Sequence, residues 1–296
     1  MIVENPRTLL WQKIGAHAFL IAFIAVILFP FLIVVSISLR PGNFSTGSLI
    51  PDPISLEHWS LALGIPFTTP QGQVLQPPFP VMLWLWNSVK IGVIASAGIL
   101  LLSMTAAYAF SRMRFAGRAT ILDTLLIIQM FPAALTVIAV YTIFDALGNI
   151  TPIFGVDSHW SLVLTYLSAL TLHIWTIKGY FDSIDPAMDK AAQIDGATPW
   201  QTFRYVFLPM SVPILAVVFV LSFIYLVNEY PIASVLLRET DNMTLAVGTR
   251  QYLYDQRFLW GDFAAAAILS GLPITMVFLL AQRYLVSGLT EGSVKG

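Results

Sequence analysis

The chain has 296 residues, with 15 Lys+Arg against 16 Asp+Glu and a formal net charge of -1. Only 10% of it is charged, where a soluble domain carries roughly 25%; 57% is hydrophobic and the mean hydropathy is +0.79. This excludes a soluble core under a charged surface and gives no electrostatic case for nucleic acid; the absence of cysteine excludes disulfides, thiolate metal sites and cysteine nucleophiles.

Residues 1–17 carry Arg7 and Lys13 ahead of a first apolar run, Ala18–Leu39. That run is long for a signal-peptide core and has no small-residue cleavage pattern behind it, so 18–39 reads as an uncleaved first span. Residues 40–84 hold eight of the eighteen prolines and read as an extended outer loop supported from outside. Residues 85–285 then contain five further apolar runs: Ile91–Phe110, Thr124–Phe144, Trp160–Ile177, Ser211–Leu237 and Phe263–Gln282. About 20 residues cross a hydrocarbon core, and in lipid only a helix satisfies its own backbone, so the expectation is an all-α membrane protein of six spanning helices. With the N-terminus inside, ten Lys and Arg fall on inner segments and four on outer loops, while Lys90 starts the second span. That bias predicts both termini cytoplasmic. Trp84, Trp86, Trp160 and Trp260 at outer boundaries, with Trp11 and Trp175 at inner ones, read as an aromatic belt. Prolines 30, 132, 231 and 273 fall inside spans, where they either bend the helix or are tolerated. Gly92 and Ser96 offer a small face for helix contact.

One inner connection, 178–210, is long and punctuated. Asp185-Pro186 reads as a helix start, Gly196 as a left-handed stop, and Thr198-Pro199-Trp200-Gln201 as a capping box that opens a second short helix. Phe203, Val206 and Phe207 give that helix an apolar side and Pro209 ends it. Two readings of this 185–209 hairpin are open: an amphipathic element on the membrane surface, or a knob gripped by another protein. The outer loop 238–262 combines Arg250, Tyr252, Tyr254, Arg257 and Trp260. Such a mix suits a protein-contact patch, or a loop packed on its own bundle. Residues 286–296 form an inner tail.

No G-x-x-x-x-G-K-[ST] occurs, so the chain has no P-loop of its own. Glu229, just before Pro231, is an intramembrane carboxylate and the one candidate for ion-coupled transport, unless it faces water or a partner helix. His17, His58, His159 and His173 are scattered without metal-ligand spacing. No catalytic residue or metal site is expected.

The run Lys190-Ala191-Ala192, then Asp195-Gly196-Ala197, Phe203 and Leu208-Pro209 resembles the E-A-A…D-G-A…F…L-P loop of permease subunits of bacterial ABC importers. The segments SLRPGNFSTGSLIP, PPFPVMLWLWNSVK, AYAFSRMRF, LAVGTRQYL, LWGDFAAAA and GLTEGSVKG are similar to the maltose/maltodextrin branch of that family. The resemblance implies a type I importer (MetI-like) permease fold whose coupling loop docks on the ATPase, with Asp189, Lys190, Ala191, Ala192, Asp195, Gly196, Ala197, Pro199, Phe203 and Pro209 as the coupling residues. It implies a dimer of ATP-binding subunits that hold ATP and Mg, a second related permease subunit, and a periplasmic maltose-binding protein as partners within membrane lipid. Arg250, Tyr252, Tyr254 and Arg257 become the candidates for contact with the binding protein. The location implied is the bacterial inner membrane, and the cargo maltose or maltodextrin. One position departs from the pattern: the family's glutamate is Lys190 here, beside Asp189. An ion-coupled carrier, or a permease for another sugar, is the competing reading.

Overall fold

In this computed structural model the structure describes residues 6–130, 133–254 and 257–291. In chain order come α1 (Pro6–Ser38), α2 (Glu57–Ala62), the short strands β1 (Phe67–Thr68) and β2 (Val74–Leu75), and α3 (Val81–Arg112). Then follow α4 (Arg118–Gln129), α5 (Ala133–Gly148), α6 (His159–Tyr166), α7 (Leu170–Ser183), α8 (Ala187–Ile194) and α9 (Pro199–Thr202). The rest is α10 (Leu208–Met210), α11 (Val212–Val227), α12 (Pro231–Leu236), α13 (Leu245–Gly248), β3 (Leu253–Tyr254), β4 (Arg257–Phe258) and α14 (Trp260–Glu291). Both strand pairs are antiparallel two-residue ribbons, Phe67 opposite Leu75 and Leu253 opposite Phe258.

The expectation of six spans meets four helical stretches long and apolar enough among the described residues: Leu10–Ser38, Val81–Arg112, His159–Ser183 and Trp260–Tyr284. A fifth is Pro199–Met210 with Val212–Val227, if that pair, bent by 76°, counts as one span. The expected third span, 124–144, is not one helix. It is divided between α4, of 12 residues, and α5, of 16. At 1.5 Å per residue neither alone covers about 30 Å of hydrocarbon. Pro132, between them, lies outside the described residues. The expected fifth span, 211–237, also stops early, at Val227, because Pro231 has no N–H to continue the ladder and opens α12 instead.

The chain divides into two compact units. The first comprises residues 1–79 and 249–269. Residues 10–32 of α1 are exposed along their length, as an apolar helix meant for lipid or a partner would be. Just beyond it the Arg40 guanidinium donates to the carbonyls of Ser45 (3.0 Å) and Ser48 (2.9 Å) and to the Ser36 hydroxyl (3.1 Å), winding residues 41–48 around one cation. His58 is buried, its Nδ1 2.5 Å from the Asp262 carboxylate and its Nε2 3.0 Å from the Gly42 carbonyl, with Glu57 at 3.3 Å. Burial alone would lower the His58 pKa. The Asp262 hydrogen bond and charge, the Gly42 carbonyl and the Glu57 charge outweigh it and leave His58 above its ordinary value. Asn43 completes the cluster: its side-chain oxygen accepts from the amides of Gly261 (3.0 Å) and Asp262 (3.2 Å), satisfying two donors that the first turn of α14 leaves open.

The second unit comprises residues 80–248 and 270–296. Its core lines α3 with two clusters. Ile91, Ala95 and Ile99 meet Leu162 and Tyr166 of α6 and Leu226 of α11; further along, Ala107 and Tyr108 meet Ile177, Phe181, Phe203 and Phe207. Gly92 permits the first contact, since a Cβ there would stand 3.1 Å from Phe223 and Val227 of α11. At the start of α3 the polar side chains bind the loop before α13. Trp84 donates to the Thr240 carbonyl (2.7 Å), Asn87 to those of Asp241 (2.8 Å) and Met243 (3.0 Å), and Ser88 accepts from the Leu245 amide (2.8 Å). Trp84 is therefore wholly buried, a correction to its place in the aromatic belt, whereas Trp86 and Trp160 are exposed.

Candidate functional site

The hairpin between α7 and α11 forms as its local sequence dictates, with one shift. The Asp185 carboxylate accepts from the Ala187 amide at 2.8 Å, so it caps α8, while Pro186 sits at the turn's edge rather than inside the helix. Gly196 has φ 79°, in the left-handed region, and nothing lies within 4 Å of where its Cβ would be. The need for glycine there is a matter of backbone and not of space. Thr198 and Gln201 form the reciprocal capping box, Thr198 Oγ1 accepting from the Gln201 amide (3.3 Å) and the Gln201 side chain from the Thr198 amide (2.8 Å).

The expected end of the second helix at Pro209 is corrected. The segment continues through a π-helical turn, Phe203–Phe207, and α10, and turns at the buried Ser211. Pro209 would clash with the carbonyl of Tyr205 in a regular helix, and the wider π turn relieves it. Pro213 then lacks the N–H that would bind the Pro209 carbonyl, which is where the chain bends by 76°.

What fixes the hairpin to the bundle is Arg112, the last residue of α3. Its Nη2 donates to the carbonyls of Phe181 (2.6 Å) and Ile184 (2.7 Å) at the end of α7, where the Phe181 carbonyl also accepts from the Ile184 amide (3.1 Å). Its Nη1 stands 3.1 Å from the Asp189 carboxylate on α8, and its guanidinium lies 4.8 Å over the Phe207 ring. One turn earlier, Tyr108 donates to the Pro199 carbonyl at 3.0 Å and packs 5.0 Å from Phe203 and 5.4 Å from Phe207, centroid to centroid. Phe181 closes the cluster 5.5 Å from Phe207. The ends of α3 and α7 and the hairpin thus share one cation and four rings. The partners of Arg112 were not legible in the sequence, because they lie far along the chain.

Of the expected coupling residues, Phe203 and Ala192 are buried and anchor the hairpin from inside; Ala197 is half-buried. Lys190, Ala191, Asp195, Gly196, Pro199 and Pro209 are exposed. Asp189 is engaged by Arg112, so it is not free to stand in for the glutamate that Lys190 replaces. Lys190 has no ion-pair partner among the described residues. At the tip, Ile194 is 86% and Trp200 64% exposed, large apolar groups held out by short capped helices.

The outer candidates separate. Tyr252 is buried and edge-on to Phe79 at 4.9 Å; burial, then the charge of Asp262, pushes its hydroxyl pKa up. Tyr254 and Arg250 are exposed, and the Arg257 side chain lies outside the described residues, as does the tail beyond residue 291. Glu229 belongs to neither group. It is 7% exposed, and its carboxylate accepts from the Tyr166 hydroxyl (2.8 Å) and from the amides of Ile232 (2.8 Å) and Ala233 (3.0 Å). Three donors on one carboxylate at the start of α12 make a helix cap, with Tyr166 tying it to α6. No cluster of metal-ligating side chains occurs among the described residues.

Residues 99–291 match the family of the binding-protein-dependent transport system inner membrane component. Over all 296 residues, and the whole of the relative, the chain is 59% identical to the maltose/maltodextrin transport system permease protein MalG of Photorhabdus laumondii. Among solved structures, a chain of a bacterial ABC transporter that imports the acidic polysaccharide alginate superposes with a TM-score of 0.74 at 21% identity, covering 96% of this chain and 99% of that one. The alginate transporter solved with its periplasmic protein gives a TM-score of 0.62 at 17% identity, over 92% of this chain and 95% of the other.

Proposed function

Since the chain belongs to the family of binding-protein-dependent transport system inner membrane components, we propose that it is the permease subunit through which an ATP-driven importer moves maltose and maltodextrins across the bacterial inner membrane. The observation that carries the cargo is full-length identity of 59% to a maltose/maltodextrin permease, with no part of either chain left over.

In this reading the hairpin 185–209 is the cytoplasmic coupling element, and both termini share its side. A separate pair of ATP-binding subunits holds ATP and Mg and grips the exposed tip around Ile194, Asp195 and Gly196; this chain catalyses nothing itself. Closure of the ATPases moves the hairpin, and Arg112 and the Tyr108 ring cluster pass that motion to α3 and α7 as one rigid piece. A second, related permease subunit completes the path and offers α1 a surface. A periplasmic maltose-binding protein docks on the outer face, with Arg250, Tyr254 and Arg257 as its contacts; Tyr252 supports them from beneath. The three donors on Glu229 favour a structural role over ion coupling.

The test is purification of the chain with candidate ATPase and permease partners, with ATP hydrolysis measured against binding protein and a panel of sugars. Hydrolysis stimulated by the binding protein with maltodextrin supports the assignment. Stimulation by another sugar alone replaces the cargo, and transport without an ATPase replaces the mechanism.

A further inference from the structure

Two cavities adjoin at the end of α3 and share Tyr108, Met113 and Pro199. The larger, about 750 Å³, is basic: Arg112, Arg114, Arg118 and Lys190 line it, and Asp189 is the carboxylate among them. Arg112 is already engaged by Asp189 and two carbonyls. Arg118 also lies near enough to Asp182 to act on its charge, but that carboxylate is held by Lys178 and by the Ser111 hydroxyl. Neither Arg114 nor Lys190 has an ion-pair partner among the described residues. The cavity therefore presents four cations to one carboxylate of its own, and that carboxylate is taken up by Arg112.

The second cavity, about 430 Å³, has almost no polar surface and is walled by Thr105, Met113, Trp200 and Phe203. Thr105 precedes Arg112 on α3 by two turns, about 10 Å along the axis. The apolar space thus runs back into the span from the basic one. A free inorganic anion would use only the first cavity; an amphiphile with a charged head uses both.

We infer that the paired cavities hold a glycerophospholipid with an anionic headgroup. Its phosphate sits among Arg114, Arg118 and Lys190, and an acyl chain lies along Thr105, Trp200 and Phe203. The inference rests on the reading that this end of the bundle faces the cytoplasmic leaflet, where basic pockets between helices meet anionic headgroups. It also gives Lys190 a purpose at the position where the family pattern has glutamate: a carboxylate there would repel the phosphate. The lipid would bridge α3 and the hairpin, so leaflet composition would bear on how firmly the hairpin is held.

The assembled importer, with its ATPase subunits, is exchanged into nanodiscs of phosphatidylcholine with or without phosphatidylglycerol, and retained lipid is counted by native mass spectrometry. Wild type retains phosphatidylglycerol in preference. Arg114→Gln and Arg118→Gln each reduce that retention about fivefold, the share of one cation near an anionic surface. Thr105→Trp, which fills the apolar cavity and alters no charge, reduces it as well, and Arg283→Gln, a cation outside the lining, does not. Equal retention in wild type and in the two arginine variants overturns the inference, as does removal of the lipid by inorganic phosphate alone, which would mark a free-anion site. Co-purification of the ATPase is scored in the same samples. Its loss from wild type overturns the importer reading, whereas intact assembly without lipid preference overturns only the lipid.

Discussion

Arg112→Ala isolates the step between the hairpin and the spans. The guanidinium makes two short bonds to the carbonyls of Phe181 and Ile184 and one ion pair with Asp189, whose side chain is 18% exposed against 13% for Arg112. Hydrogen bonds to a charged group contribute about 1.5–3 kcal/mol each, but these share one side chain and are not additive. Removing one partner of a fully buried pair costs about 3–5 kcal/mol. The residual exposure argues for the low end, about 3 kcal/mol, which corresponds to roughly a hundredfold drop in the docked population of the hairpin. Hydrogen exchange in 187–194 should accelerate accordingly, and the ATP consumed per sugar delivered should rise, while the complex still assembles through the exposed tip. Arg112→Lys keeps the charge but not the planar fork and should fall between. In a double-mutant cycle, Asp189→Ala should cost less on the Arg112→Ala background than on wild type. Unchanged exchange and unchanged coupling in Arg112→Ala would refute the argument that this cation transmits the motion.

Gly196→Val should strain a left-handed backbone by about 1–2 kcal/mol and loosen coupling, while Gly196→Asn should be mild; equal effects of the two, read as sugar delivered per ATP, would point to lost contacts instead. Glu229→Gln keeps an acceptor for the α12 cap and should cost about 1–2 kcal/mol in thermal stability, with sugar uptake insensitive to an ionophore; abolished uptake at unchanged stability would return Glu229 to the transport path. Tyr252→Ala should destabilise by about 3–5 kcal/mol, as removal of a buried aromatic does, whereas Tyr254→Ala should leave the melting temperature near wild type and weaken stimulation by the binding protein. Because His58 is held above its ordinary pKa, the stability it adds is complete at acid pH and is lost as pH rises through that raised value. Protease resistance of the 41–58 segment should therefore decline with rising pH, and His58→Gln should remove the dependence.

Local chemistry was legible in the sequence, and long-range chemistry was not. The glycine turn at 196 and the Thr198–Gln201 capping box depend on residues within four positions, and they form as spelled. Hydropathy found the apolar runs but could not see helix ends within them. The break at Asn228–Tyr230 lies inside a continuous apolar stretch because a carboxylate cap reads as an isolated charge. Trp84 looks like a belt residue by position, yet its indole is consumed by the Thr240 carbonyl and its ring by the close approach of Gly248. The Arg112–Asp189 pair joins residues that only the packing of α3 against α7 brings together. Tyr252 closes a 3-10 turn, Thr249–Tyr252, and Tyr254 lies on β3, so a composition argument that rightly noticed an aromatic loop could not tell its inward residue from its outward one.

Sugar uptake into proteoliposomes containing the purified complex, with ATP inside and binding protein outside, tests the central claim most directly. Labelled maltodextrin should accumulate only when the ATPase subunits and ATP are both present, at a rate indifferent to collapse of the ion gradients. Accumulation by this chain in the absence of the ATPase, abolished by an ionophore, would contradict it.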